Sequence, residues 1–305
     1  MLTMSFSGHI ALNALDASIG AGVTGLVGAN GAGKTTLFNL ILGLIKPSEG
    51  HLTVHGLDPT SDGPAVRSTI GFSPEHHILP DEMPADEFVR HMAQVRGLPR
   101  SEARGRASDA LWLVGLGEER FRPLGTMSTG QRQRVKLAQA LASDPSLILL
   151  DEPTDGLDPF QRDEMLELIA SIRATVGIDV VVSSHLLEEV ERICDHVVIL
   201  DAGRLIAAGP IDEVVGTASP EVFAELAEGD RASLDAQVIA SIVEHLSAFD
   251  LDVTVEGLTL RMAGDERLAL DEFTAAAASS GARVQRLGRR RRRLEDVFVD
   301  QGVSS

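Results

Sequence analysis

The nine residues Gly28-Ala29-Asn30-Gly31-Ala32-Gly33-Lys34-Thr35-Thr36 constrain this chain more than any other segment, because they satisfy the pattern G-x-x-x-x-G-K-[ST] in full. They follow an apolar, β-branched run, Val23 to Val27, and lead into Leu37-Phe38-Asn39-Leu40-Ile41. The spacing therefore predicts a strand, a glycine loop and a helix in that order. A triphosphate needs inward-pointing backbone N–H groups with no Cβ in the way, a helix N-terminus, a lysine for the β and γ phosphates, and a hydroxyl for the metal. Gly28, Gly31 and Gly33 meet the first need, Lys34 the third and Thr35 the fourth, with Ala29, Asn30, Ala32 and Thr36 completing the loop. The ligands this loop implies are a triphosphate and a metal ion.

A second signal is Leu147-Ile148-Leu149-Leu150-Asp151-Glu152. An apolar strand ending in two carboxylates puts Asp151 where it can hold a Mg²⁺ that bridges phosphates, and Glu152 where it can polarise an attacking water. Two acids after an apolar run are common on protein surfaces and acquire this meaning only beside the phosphate loop. A third segment, Met127-Ser128-Thr129-Gly130-Gln131, opens a helix with Ser128 as its N-cap. Physics alone leaves it open between a plain capped helix and a second anion site.

The remaining pattern alternates strands and helices, as in an α/β layered core. Strands are expected at 51–55, 147–150 and 179–183, and helices at 84–97, 101–116, 129–143, 160–175 and 186–195. Residues 77–145 form a helical insert. Small and turn-forming residues at Gly209-Pro210 and Gly216-Thr217-Ala218-Ser219-Pro220 place a boundary near 216. Beyond it, strands at 222–226, 251–255, 258–262 and 283–287 with helices at 232–248 and 266–280 make a small α+β unit covering 217–305.

With 27 basic against 45 acidic side chains, the net charge is −18, which opposes general nucleic-acid binding. The single cysteine, Cys194, excludes a disulfide framework. No run is long enough to span a membrane, and the N-terminal residues lack the basic stretch of a secretory signal. The exception to the acidic balance is Arg289 to Arg293. It reads either as a solvated strand-to-helix connection or as a contact for anionic lipid headgroups, nucleic acid being a distant third.

The order of phosphate loop, helical insert, Ser-Thr-Gly-Gln, apolar strand with Asp-Glu, then Ser183-Ser184-His185 resembles the ATP-binding subunit of ABC transporters over about residues 5–215. The resemblance implies an α/β phosphate-loop NTPase core with a β-rich N-terminal subdomain, and an ATPase that couples ATP-driven dimerisation to transport through separate multi-span membrane subunits. It implies a peripheral location on the cytoplasmic face of the membrane, and a second copy, or a related subunit, as partner. In that family, Ser128 and Gly130, with Thr129 and Gln131 beside them, contact nucleotide held by the other subunit, and Asp158 lies on the loop crossing the dimer interface. Glu152 orients the water, Lys34 binds the phosphates, and His185 senses the γ-phosphate. The insert receives the membrane subunits.

Three positions depart from the family pattern. Glu75 stands where glutamine is usual, with a nucleotide and Mg²⁺ contact implied. Thr129 and Met127 replace the commoner Gly and Leu. The chain has no tyrosine, so Phe6 stands in for the aromatic that stacks on adenine. The tail Arg293-Leu294-Glu295-Asp296-Val297-Phe298 resembles the drug, lipid and polysaccharide exporter branch, which implies export. The competing readings are a non-transport ABC ATPase acting on a soluble macromolecule, and a small-molecule kinase. The kinase leaves Ser128–Gln131 and Ser183–His185 unexplained.

Overall fold

The computed structural model describes residues 1–76, 79–215, 221–227, 232–249, 251–290 and 293–300. Along the chain lie β1 (Leu2–Phe6), β2 (His9–Leu15), β3 (Val23–Val27), α1 (Lys34–Ile41), β4 (Glu49–Gly50), α2 (Gly63–Thr69), β5 (Ile70–Ser73), α3 (Ala85–Val95), α4 (Arg100–Leu113) and α5 (Thr129–Leu141). There follow β6 (Leu147–Leu150), α6 (Pro159–Val176), β7 (Asp179–Ser184), α7 (Leu187–Ile193), β8 (His196–Asp201), β9 (Arg204–Pro210) and α8 (Ile211–Val215). Last come β10 (Glu221–Leu226), α9 (Ala232–Leu246), β11 (Asp252–Glu256), β12 (Thr259–Ala263), α10 (Glu266–Ser280), β13 (Val284–Arg290) and α11 (Leu294–Asp300). The chain divides into two compact units, the first built on Met1–Val214 and the second on Val215–Val297.

In the first unit a six-stranded sheet runs β5-β6-β7-β3-β8-β9, parallel except for the antiparallel edge strand β9. β3 and β6 to β8 are apolar runs because both faces of such a sheet are covered, and every residue of β3 is buried. One face packs with α1 and the small antiparallel sheet β2-β1-β4, around Leu12, Leu26, Phe38, Ile70 and Leu149. The other core joins Ile148, Leu150, Val180 and Val182 to α6 and to the helical insert α3, α4 and α5. The close fit leaves no room at Gly25, where a Cβ would strike Val190, or at Gly71, where it would strike the Ala140 carbonyl.

The second unit has β-α-β-β-α-β order and one antiparallel sheet, β11-β12-β10-β13. Its core, with Val222, Ala224, Leu260, Met262, Ile242 and Phe273 at the centre, lies between one sheet face and the helices α9 and α10.

Two expectations are corrected. Residues 51–55 are not a strand: the pairing stops at Gly50, His55 has φ 49°, and Val54 makes a single bridge to Leu57 within a turn. Their alternation has no neighbouring strand to pair with. Arg289 and Arg290 belong to β13, paired with Val222 and Glu221, and are not a loose connection. Arg291 and Arg292 lie outside the described residues, as do the 216–220 segment and His77 and Ile78 at the start of the insert.

Candidate functional site

The site collects at the C-terminal ends of three neighbouring parallel strands, β3, β7 and β6, the edge at which open α/β sheets bind ligands. β3 ends at Val27 and the glycine loop turns directly into α1. Gly33 is the α1 N-cap at φ 105°, and the first turn carries no acidic residue, so the helix start is left to an anion. A Cβ at Gly33 would lie 2.6 Å from Leu12 Cδ2 and 2.8 Å from the Ala11 carbonyl. At Gly28 it would fall on the Leu200 carbonyl and Ala32 Cβ. Gly31, at φ 85°, faces open space, where close approach of a ligand needs a bare backbone. Ala29 and Asn30 are exposed, and the Ala32 N–H donates to the Ala29 carbonyl at 3.0 Å.

β6 delivers Asp151 and Glu152, both buried. Asp151 Oδ2 accepts from the Thr35 hydroxyl at 3.2 Å and Oδ1 from the Ser183 hydroxyl at 2.7 Å. Ser183 Oγ also accepts from the Glu152 N–H at 2.9 Å, so one hydroxyl at the end of β7 fixes two groups at the end of β6. The Thr35–Asp151 pair is a hard-oxygen donor set of the kind Mg²⁺ takes alongside substrate phosphates, and it fits that ion.

Glu152 sits at φ 46°, a region non-glycine residues seldom occupy and one that concentrates at functional sites. Its two oxygens divide between two partners: Oε1 faces Lys34 Nζ at 3.0 Å and Oε2 faces His185 Nδ1 at 2.9 Å. Lys34 and Glu152 side chains are each 7% exposed, whereas His185 is 45% exposed. Lys34 Nζ also donates to the Gly28 carbonyl at 2.5 Å. A buried ammonium and a buried carboxylate thus neutralise each other beside the loop, which is what makes their burial tolerable.

The other expected residues fall into separate places. Ser128 caps α5 in a reciprocal box with Gln131, its hydroxyl accepting from the Gln131 N–H at 3.2 Å while its own N–H donates to Gln131 Oε1 at 3.1 Å. Ser128 and Thr129 are exposed and Gly130 is buried against Gln161. Asp158 caps α6 through the Gln161 N–H at 2.9 Å. Neither helix start joins the Lys34–Asp151–Glu152–His185 cluster. Phe6 closes β1 at the tip of the β1–β2 hairpin, 45% exposed. Glu75, for which a nucleotide and Mg²⁺ contact is implied, has its carboxylate 3.4 Å from His76 Nδ1 and is more than a third exposed.

Sequence reasoning missed two buried groups. Lys136 on α5 donates to the Glu75 carbonyl at 2.8 Å, tying the helix behind Ser128 to the segment after β5. Burial holds its ammonium below the usual lysine pKa, opposed by Glu75, Asp151 and Asp155. Glu189 on α7 accepts from Ser184 at 2.6 Å and Thr154 at 2.9 Å and meets Arg162 Nε at 3.3 Å. It joins the loops after β6 and β7 to α6, three turns' worth of chain that also carry Glu152, His185 and Asp158. No pattern in the sequence marks Glu189, since its partners come from 27 residues away or more at Arg162 and Thr154. Truncation leaves Arg162 without its acid and the Thr154 hydroxyl without its acceptor, while the Ser184 hydroxyl keeps only the Leu186 carbonyl at 3.4 Å. Glu189→Ala is expected to lower stability by about 3 kcal/mol, read as a drop in unfolding midpoint.

A glycine loop opening a helix, a strand-end carboxylate pair and a buried Lys–Glu pair met by a half-exposed histidine define a phosphate-loop nucleotide-binding cassette of the ABC ATPase class. The family model described as "ABC transporter" matches residues 12–155. The chain is 36% identical over 236 residues to the methionine import ATP-binding protein MetN of Caulobacter vibrioides, a match covering 75% of this chain and 71% of that protein. It is 42% identical over 195 residues to an uncharacterised ABC transporter ATP-binding protein of Nostoc, covering 63% of this chain and 57% of the relative. A solved dimeric bacterial ABC transporter cassette is 27% identical with a TM-score of 0.60, over 68% of this chain and 96% of that one. The chain belongs to the family of ABC transporter ATP-binding proteins. The expected exporter branch finds no support among these relatives, of which the one named for its transport is an importer.

Proposed function

We propose that this chain is the ATP-hydrolysing subunit of a transporter whose membrane-spanning subunits are separate chains. The observation that carries the reading is the convergence of Lys34, Thr35, Asp151, Glu152, Ser183 and His185 at three adjacent strand ends. Lys34 and the amides of Gly28–Thr36 bind the phosphates, Lys34 exchanging the Glu152 carboxylate for them. Thr35 and Asp151 hold Mg²⁺, which supplies charge neutralisation on the phosphates. Glu152, freed from Lys34, accepts a proton from water, and His185 holds its second oxygen in place. Ser128, Thr129, Gly130, Gln131 and Asp158, remote from this cluster in one chain, serve the nucleotide of a second copy.

On this reading the chain is a peripheral subunit held at the membrane by its partners; among the described residues no helix is long and apolar enough to cross one. On direction, the relatives favour import, and export rests on the Arg293–Phe298 tail resemblance alone. The test is capture of the tagged full chain from detergent-solubilised membranes of its host, with and without ATP. Recovery of a multi-span protein is the expected result. A chain that dimerises on ATP yet recovers no membrane protein overturns the transporter reading in favour of a soluble macromolecular partner.

A further inference from the structure

The second unit covers one sheet face with α9 and α10; the opposite face, which α11 reaches through Asp296, 3.9 Å from Arg261, carries half-buried and exposed side chains of a specific chemistry. Strand alternation sends Val222, Ala224, Leu260 and Met262 to the core, and sends Phe223, Glu225, Thr259, Arg261, Arg286 and Glu256 to the opposite side. Phe223 and Arg261 are register partners, as are Glu225 and Arg286. Phe223 lies over Gly288, where a Cβ would come within 2.9 Å of its ring, so this glycine is the reason the aromatic can lie flat on the edge strand. The Arg286 guanidinium is stacked 5.2 Å from the ring centroid.

These side chains, with Arg289 and Arg293 at the rim, line a concavity of about 590 Å³, within the size range of small-molecule sites. Its lining holds four arginines and two glutamates in a chain whose net charge is −18. Intramolecular acids engage two of the guanidiniums: Arg261 meets Glu256 at 2.9 Å and Asp296 at 3.9 Å, while Arg289, the register partner of core-facing Val222, turns to Glu266 on α10 at 2.7 Å and reaches the concavity only at its rim. An array of planar, positioned guanidiniums with an aromatic ring and hydroxyl and carboxylate acceptors beside it is the chemistry that recognises a phosphate ester carrying donor groups.

We propose that this sheet face binds a soluble phosphorylated small molecule, its phosphate held by Arg261 and Arg286 and its hydroxyl or amine donors by Glu225 and Thr259. The site is separate from the ATP site and is independent of the transporter reading. The test uses the full chain carrying Lys34→Ala, which disables the phosphate loop, with inorganic pyrophosphate as the calorimetric probe. Pyrophosphate should still bind, and adding Arg261→Gln with Arg286→Gln should weaken it at least tenfold. Arg286→Lys, which keeps the charge and loses the planar stack, should fall between, with unchanged melting of the unit as the check on folding. Equal pyrophosphate affinity with and without the arginines overturns the proposal. So does arginine-dependent binding to vesicles containing anionic phospholipid with no response to pyrophosphate, which would make the face a lipid contact.

Discussion

Glu152→Gln is expected to lower ATP turnover by about 10²- to 10⁴-fold, the range over which positioned proton acceptors act, while ATP affinity changes by only a few-fold. The amide keeps the size of the carboxylate and can still bond His185, but it no longer accepts a proton from water. Binding survives because the phosphates themselves become the partner of Lys34, which in the structure leans on Glu152 Oε1 and the Gly28 carbonyl. Equilibrium ATP binding and single-turnover hydrolysis separate the two effects. Normal hydrolysis in this variant removes Glu152 from its role.

The second large effect concerns the same ion pair as a structural element. Lys34→Ala removes the phosphate-binding ammonium and also leaves the Glu152 carboxylate buried beside the loop with His185 as its remaining partner. Breaking a buried pair from one side costs about 3–5 kcal/mol, so the variant should lose ATP binding and stability together. Adding Glu152→Gln removes the stranded charge, and the double variant should be more stable than the sum of the two singles by about 1–3 kcal/mol. Additive losses in thermal unfolding would mean that the pair is not coupled. Full ATP affinity in Lys34→Ala would mean that the loop amides alone hold the phosphates.

The local segments of the site were legible because their constraints are local. The glycine loop needs particular residues at fixed offsets, and strands β6 and β7 are apolar runs that only a doubly covered sheet tolerates. The second unit was legible for a similar reason, since each of its short elements alternates or repeats within ten residues of a turn. Strand β8 carried the same signal as β6, Val197 to Leu200 being fully apolar, and was overlooked. β2 gave little signal: its residues are largely exposed and include Asn13 and Ala14, the latter at φ 49°. The residues that orient the chemistry were the least legible. Ser183 acts on Asp151 and Glu152, about thirty residues earlier, and Glu189 on Thr154 and Ser184, contacts created only when β6 and β7 lie side by side.

That separation of roles also explains why one copy of the chain is an incomplete machine on this account. The phosphate loop, the Thr35–Asp151 pair and the Glu152 carboxylate form one bonded cluster, while Ser128 and Asp158 cap helices outside it. The most direct test of the central claim is the mass of the Glu152→Gln chain in solution, measured by light scattering with and without ATP and Mg²⁺. A monomer that becomes a dimer on ATP, and stays monomeric when Ser128→Arg is added, is the predicted result. A chain that binds ATP and remains monomeric would contradict an ATP site completed by a second copy.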